Sequence, residues 1–292
     1  MTGVNLALLP PLTVVPQPDF ETIVAEVAAK AGLENASPSD PAFRVALAAA
    51  YRETLVRQYA NEQAKALTLA HAYGAQLDHL GVTYYRNPDN TPVLRLEGES
   101  DDDYKARLQE SPEGLSVAGP EGAYKFHARS ASPLVAGVSV ESPNPCEILL
   151  TVLSKEGPPE EEGPEPYEGP IDGAASPELL AKVATYLAPF RPLGDRLAVV
   201  SAEVVYYQIA ATIYPDGELD PEMVIAAAQA RAEAFVALMW RLAGLVVLSA
   251  VDAALTTAGV EEVVLQGWED VRCSKRQVPV CNGITLTLGV RE

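Results

Sequence analysis

The sequence predicts an α+β protein: an N-terminal helical region with a long amphipathic helix, followed by two small α/β sandwich-like modules. Three observations carry this. Apolar residues recur at spacings of three and four between Phe20 and Leu80. Runs rich in Val, Ile and Leu start only at Val135. Beyond it, Ser-Pro and Asp-Pro helix starts alternate with such runs. The expected organisation is an arm and helical region over 1–95, a middle α/β domain over 96–200, and a C-terminal α+β domain over 201–292.

The elements follow in order. Residues 1–18 hold Pro10, Pro11, Pro16 and Pro18 and read as an extended arm lying on the surface of something else. Phe20, Ile23, Val24 and Val27 mark a helix over Asp19–Ala31, stopped by Gly32. Asp40-Pro41 opens the long helix, with Asp40 as N-cap and Pro41 at the first helical position. Phe43, Leu47, Tyr51, Leu55 and Tyr59 form an i, i+4 stripe along it. Continued to Tyr73, this helix is about 50 Å long at ~1.5 Å per residue. Gly74 breaks it, and a short helix with Leu77 and Leu80 closes at Gly81. Ser100 caps the next helix, with Asp101, Asp102 and Asp103 in the first turn, where the helix dipole favours negative charge.

Pro120 opens a helix to Ala131. Strands are expected at Val135–Glu141, Glu147–Leu153 and Arg196–Val200, with a helix from Ser176-Pro177 to before Pro189. Residues 155–173 hold five prolines, four glycines and seven acidic residues without apolar periodicity, and read as an exposed loop. Further on, Val204–Tyr214 is a strand and Asp220-Pro221 caps a helix to Leu242. Val246–Leu248 is short and strand-like, Ser249 with Asp252 caps a helix ended by Gly259, and Val263–Gln266 and Ile284–Val290 are strands. This order suits a small sheet with helices on one face.

Charge narrows the function. Forty acidic residues against 21 basic ones give a formal −19. Phosphate neutralisation needs clustered Lys and Arg, so a nucleic-acid surface is disfavoured. So is docking on anionic lipid. Apolar runs fall well short of the ~18 residues a span needs. Three cysteines, Cys146, Cys273 and Cys281, are too few and odd in number for a disulfide framework. Cys273 and Cys281 flank a strand-like or hairpin segment and could approach each other.

Candidate chemistry centres on Glu113–Ala131. Gly114–Gly119 has phosphate-loop spacing, but Pro120 stands where the phosphate-binding lysine belongs. Ser116 misses the nucleophile-elbow spacing by one position. His127 could serve Ser116 as a base only within hydrogen-bond reach; the plainer reading packs Tyr124, Phe126 or His127, and Ala131 on a sheet. His71, His79 and His127 are the three histidines, with no His-Glu-x-x-His and no Cys-x-x-Cys, so no metal or cofactor is expected. The three consecutive aspartates are capping residues, since calcium loops space their oxygens at alternate positions.

Several segments together resemble one family. They are Leu9-Pro10, Val14-Val15 and Asp19-Phe20-Glu21; Tyr51-Arg52-Glu53, Arg57-Gln58, Asn61-Glu62 and Ala64; and Gly74, Leu77-Asp78 and Leu80-Gly81. Glu99-Ser100-Asp101, Asp103-Tyr104 and Arg107 follow, then Glu113–Gly119, Gly122-Ala123-Tyr124 and Arg129-Ser130-Ala131. In this order they are similar to the baseplate assembly protein J family of contractile phage tails and tail-like particles. The resemblance implies a non-enzymatic baseplate wedge component, made in the host bacterial cytoplasm. It implies pairing with a second J-like chain and bundling of N-terminal helices with another wedge protein. It also implies contact with sheath-initiating and hub components, with tail fibres held indirectly, in a ring that rearranges on contraction. The stripe Phe43, Leu47, Tyr51, Leu55 and Tyr59 is the candidate protein interface, with packing inside its own domain as the alternative. Residues 201–292 are the candidate self-association module. Two other functions stay open: a receptor- or fibre-attachment module using the acidic loop, and a hydrolase built on Ser116 and His127.

Overall fold

A computed structural model describes residues 6–156, 172–217 and 219–289. The fold is α+β, with eight α-helices and three small sheets among the described residues. It divides into two compact units: Met1–Arg95 with Glu99–Gln109, and Leu96–Gly98 with Glu110–Glu292. The acidic loop falls largely outside the described residues, as does the expected strand end at Val290.

In the first unit, α1 (Phe20–Lys30) and α2 (Pro41–Lys65) pack on each other. Both start as expected. Asp19 accepts from Thr22 N at 2.8 Å, and Asp40 from Ala42 N at 2.8 Å. The long helix is shorter than the sequence suggests: 25 residues, ending at Lys65 rather than Tyr73. Its last turn tightens, with Leu67 N donating to Ala64 O and Thr68 N to Lys65 O. The Thr68 hydroxyl takes the same Lys65 carbonyl at 2.7 Å, which removes it from helix continuation.

α3 (Gly74–Tyr84) carries a second correction. Gly81 lies inside it and does not close it. A Cβ there would sit 1.9 Å from the Tyr104 hydroxyl, so Gly81 makes room for a ring. Tyr104 lies on α4 (Asp101–Gly114), is fully buried, and donates to Val93 O at 2.7 Å. Burial pushes its hydroxyl up to about 12. Ser100 caps α4 as expected: its Oγ accepts from Asp103 N at 3.2 Å and donates to the Asp103 carboxylate.

In the second unit, α5 (Glu121–Ala131) and α6 (Pro177–Leu187) cover a three-stranded sheet. Its order is β1 (Val135–Glu141), β2 (Glu147–Ser154), β3 (Arg196–Ser201), antiparallel then parallel. Tyr124, Ala128, Leu179, Val183 and Leu187 meet Val140, Leu150 and Val152 in its core. Pro120, the expected first residue of α5, is its N-cap, so the helix begins one position later, at Glu121.

The second sheet has β4 (Glu203–Pro215) at its centre, between β6 (Val260–Leu265) and β8 (Gln277–Leu288). β4 pairs antiparallel with β6 and parallel with β8. α7 (Pro221–Met239) and α8 (Leu248–Leu255) cover one face, packing Val224, Ala228, Ala232, Val251 and Leu255 on Ile209, Ala211 and Ile213. A two-stranded pair joins β5 (Leu245–Val246) to β7 (Val271–Arg272). The chain passes from one sheet to the other at Ala202. Its N–H bonds Val152 O at 2.9 Å, and the next N–H, of Glu203, bonds Arg276 O at 2.9 Å. Leu153, Ala202, Val278 and Val280 bury this joint.

Several boundaries differ from expectation in this region; β6, for one, begins at Val260 rather than Val263. α7 stops at Met239 rather than Leu242. The expected strand at Val246–Leu248 is β5, and Leu248 already begins α8. Ser249 therefore lies inside α8 and does not cap it. Asp270 supplies the cap from afar, its Oδ1 accepting from Leu248 N at 2.9 Å, and this bond holds its carboxyl below the usual range. β8 begins seven residues before the expected Ile284, because its first half is buried beside the start of β4.

Candidate functional site

The candidate site is the outer face of α2. Arg57 and Asn61 set the opposite face by binding the arm. Asn61 Oδ1 accepts from Val14 N and Val15 N at 3.0 and 2.9 Å, and its Nδ2 donates to Val15 O at 2.9 Å. The amide thus pairs with an extended backbone as a strand neighbour would. Arg57 Nη1 adds a bond to Pro16 O at 2.9 Å, while its Nη2 pairs with Glu53 at 2.6 Å. Ala46 and Ala50 are buried on α2, small enough to let helix and neighbours approach closely.

The predicted stripe divides in two. Phe43 and Leu47 are half-buried and, with Phe20, Val24 and Ala28 of α1, line an apolar groove of about 450 Å³. Tyr51, Leu55 and Tyr59 are 57%, 40% and 66% exposed. The cause is helical geometry. Steps of four residues advance about 40° round a helix of 3.6 residues per turn. A row that begins against α1 therefore ends on the outside. Val45 and Val56, 69% and 60% exposed, extend the outer arc. They fall off an i, i+4 row, so the stripe pattern alone does not show them; an i, i+11 spacing does.

The outer arc is an exposed, largely apolar row of side chains. Covering an exposed Leu, Val or Tyr removes apolar area from water at roughly 25 cal/mol per Å². Tyrosine adds a polar handle at the rim of such contacts.

The Glu113–Ala131 segment is built as packing. Gly114 faces Phe126, whose ring a Cβ would reach at 2.1 Å. Gly119 turns the chain with φ +73° against Pro192. Tyr124 donates to Asp195 at 2.6 Å. His127 is buried, its Nε2 bonded to Gly114 O at 3.1 Å and its ring stacked on Phe190 at 3.9 Å. Burial lowers its pKa, so the ring is held neutral. Nε2 therefore carries the proton that the carbonyl accepts, and Nδ1 lies buried without a partner. Ser116 is exposed, and its Oγ accepts from Ala118 N at 3.4 Å. The structure does not assemble these two side chains into a nucleophile–base pair.

The remaining signature residues form a polar knot in the first unit. Arg95 reaches Asp78 at 2.6 Å and Asp101 at 2.7 Å, and lies over the Tyr104 ring. Asp101 Oδ2 accepts from Gly74 N at 3.0 Å, and that bond, helped by Arg95, lowers its carboxyl. Arg107 lies over the same ring and pairs with Glu99. The three cysteines are free. Among the described residues no three His, Cys, Asp or Glu side chains are grouped to hold a metal ion, and no helix is long and apolar enough to cross a membrane.

Comparison with known proteins gives this arrangement a family. Residues 38–86, which hold α2 and α3, match the Baseplate J-like N-terminal domain. Residues 207–287, which hold most of the second sheet with α7 and α8, match the Baseplate J-like protein C-terminal domain. Over 314 aligned positions the chain is 37% identical to Baseplate protein J of Escherichia phage P2, covering 99% of each. The chain belongs to the baseplate J family.

Proposed function

We propose that this chain is a structural component of a contractile tail baseplate, acting through its surfaces rather than through chemistry. The observation that carries the reading is the outer arc of α2. Val45, Tyr51, Leu55, Val56 and Tyr59 lie exposed on a helix whose opposite face is occupied by the chain's own arm. A helix with apolar residues on both sides suits the interior of a bundle. In this reading α2 bundles with the corresponding helix of a second J-like chain and with a helix of another wedge protein. The relative from phage P2 is named for a baseplate, which supports the same assignment.

The finer organisation follows the same reading. Residues 1–95 supply the bundle, 96–200 a middle domain, and 201–292 the module for contact with a further J-like chain. The assembled ring then anchors sheath and fibres in the virion tail and rearranges on contraction. Co-expression with the products of adjacent tail genes, followed by sizing and electron microscopy, tests this. A complex of defined size containing this chain is expected; a chain that elutes alone contradicts the reading.

A further inference from the structure

We propose that a cleft on the second sheet binds a neutral hexopyranose, held against Tyr206 and Trp268 and hydrogen-bonded by Gln208, Asn282 and the Tyr207 hydroxyl. The inference goes beyond the baseplate reading and does not depend on it. The cleft follows from the sheet. β6 pairs with β4 only from Ala211 to Pro215, so the Tyr206–Gln208 stretch of β4 has no strand on that side. Gly267 then turns the chain with φ +58°, and Trp268 meets Tyr207 edge to face, their ring centroids 6.2 Å apart. On the other side a bulge lies between Tyr207 and Ile209, where β8 holds an extra residue, and Asn282 lines the cleft there. The enclosed space is about 490 Å³. That is within the ~300–1,000 Å³ of ordinary ligand clefts.

Polar groups in the cleft lack partners. Tyr207 lines it, is 8% exposed, and has its hydroxyl buried without a hydrogen-bond partner. Leaving a buried hydroxyl unpaired is unfavourable, and a ligand group can pair it. Burial raises its pKa, so it keeps its proton and can donate. The side chains of Gln208, Asn282 and Glu269 are exposed and make no hydrogen bond among the described residues. Trp268 is held in place from behind. Its Nε1 donates to Asp270 Oδ1 at 3.4 Å, the same oxygen that caps α8.

The chemistry of the lining selects the ligand. Amides and hydroxyls both donate and accept, which matches sugar hydroxyls that do the same. Aromatic rings supply the apolar surface that covers the C–H face of a pyranose. Glu269 is the one charged lining side chain, on a chain of formal charge −19, so phosphates and acidic sugars are repelled. A purely apolar ligand would leave the amides and the Tyr207 hydroxyl unpaired. A cation is drawn to an aromatic face. Tyr206 and Tyr207, however, are successive strand residues and leave β4 on opposite faces, so they do not cage a point charge. A flat ring lying along the flank of β4 reaches both.

Isothermal titration and ligand-observed NMR of the full chain with glucose, galactose, mannose and N-acetylglucosamine test the proposal. At least one is expected to bind with roughly millimolar affinity, ordinary for so small a ligand. N-acetylneuraminic acid, an acidic sugar, is expected not to bind. Tyr206→Ala and Tyr207→Phe are each expected to weaken binding about tenfold. Tyr206 is exposed, and Tyr207→Phe removes an oxygen that has no partner in the free chain, so neither melting temperature is expected to fall by more than a few degrees. No binding of any of the four sugars at ~50 mM would overturn the proposal. So would equal binding of N-acetylneuraminic acid, or an unchanged affinity in either variant. Binding of choline in place of the sugars would also overturn it, and would make the cleft a cation site.

Discussion

The guanidinium of Arg107 meets both carboxylate oxygens of Glu99, at 2.7 and 2.6 Å, with each side chain 3% exposed. Its Nη2 also donates to Leu94 O at 2.6 Å. Removing one partner leaves the other as a buried uncompensated charge, which costs about 3–5 kcal/mol. Glu99→Ala and Arg107→Ala are each expected to lower stability by that amount in urea unfolding. Replacing both by apolar residues of similar volume, as Glu99→Leu with Arg107→Met, is expected to cost less than either single change. Equal or greater loss in the double variant would show that the pair itself is the stabilising unit.

Gly81 and Tyr104 make a second paired prediction. Gly81→Ala places a Cβ 1.9 Å from the Tyr104 hydroxyl and 2.7 Å from Cζ. Overpacking of this kind costs about 1–3 kcal/mol. Tyr104→Phe in the same chain removes the closer clash and is expected to restore part of the loss, read from thermal melting. Gly81→Ala with wild-type stability would show that the ring moves freely, which its full burial argues against.

Asn61 makes most of the side-chain hydrogen bonds to the arm, with Arg57 adding one at Pro16. Asn61→Ala removes all three hydrogen bonds to Val14 and Val15. Limited proteolysis is the measurement, since a detached arm exposes its backbone to cleavage. Cleavage between residues 10 and 18 is expected to be at least tenfold faster in the variant. An unchanged rate would mean that packing, not the amide, fixes the arm.

His127 gives a pH dependence with a definite sign. Its pKa is lowered by burial from an ordinary value near 6.5, so the unfolded chain takes up a proton first as pH falls. The stability it contributes is complete above pH ~6.5 and is lost as pH falls from there to the folded pKa, at up to about 1.4 kcal/mol per pH unit. His127→Leu is expected to lack this slope, whatever its absolute stability. Parallel stability–pH curves for the two proteins would contradict the assignment.

Much of the fold was legible because its signals are local. Asp19, Asp40, Ser100, Ser176 and Asp220 each cap a helix two or three residues on, and all five helix starts follow from them. What escaped depends on distant partners. Asp270 caps α8 across 22 residues, and nothing near Leu248 announces it. Gly81 reads as a stop signal because the ring that needs its space comes from Tyr104. The first half of β8 contains Pro279 and follows no clear alternation, and only its pairing with β4 makes it a strand. The stripe on α2 was legible as a row of residues. How far each is exposed was not, since that depends on where α1 and the arm lie.

The most direct test of the central claim places a charge on the outer arc of α2. Tyr51→Glu and Leu55→Glu change exposed positions, so each chain is expected to fold with a melting temperature within a few degrees of wild type. Co-expressed with the adjacent tail gene products and sized, either variant is expected to lose the wedge complex. A folded Leu55→Glu chain that still assembles at wild-type yield would contradict the claim that this face of α2 builds the baseplate.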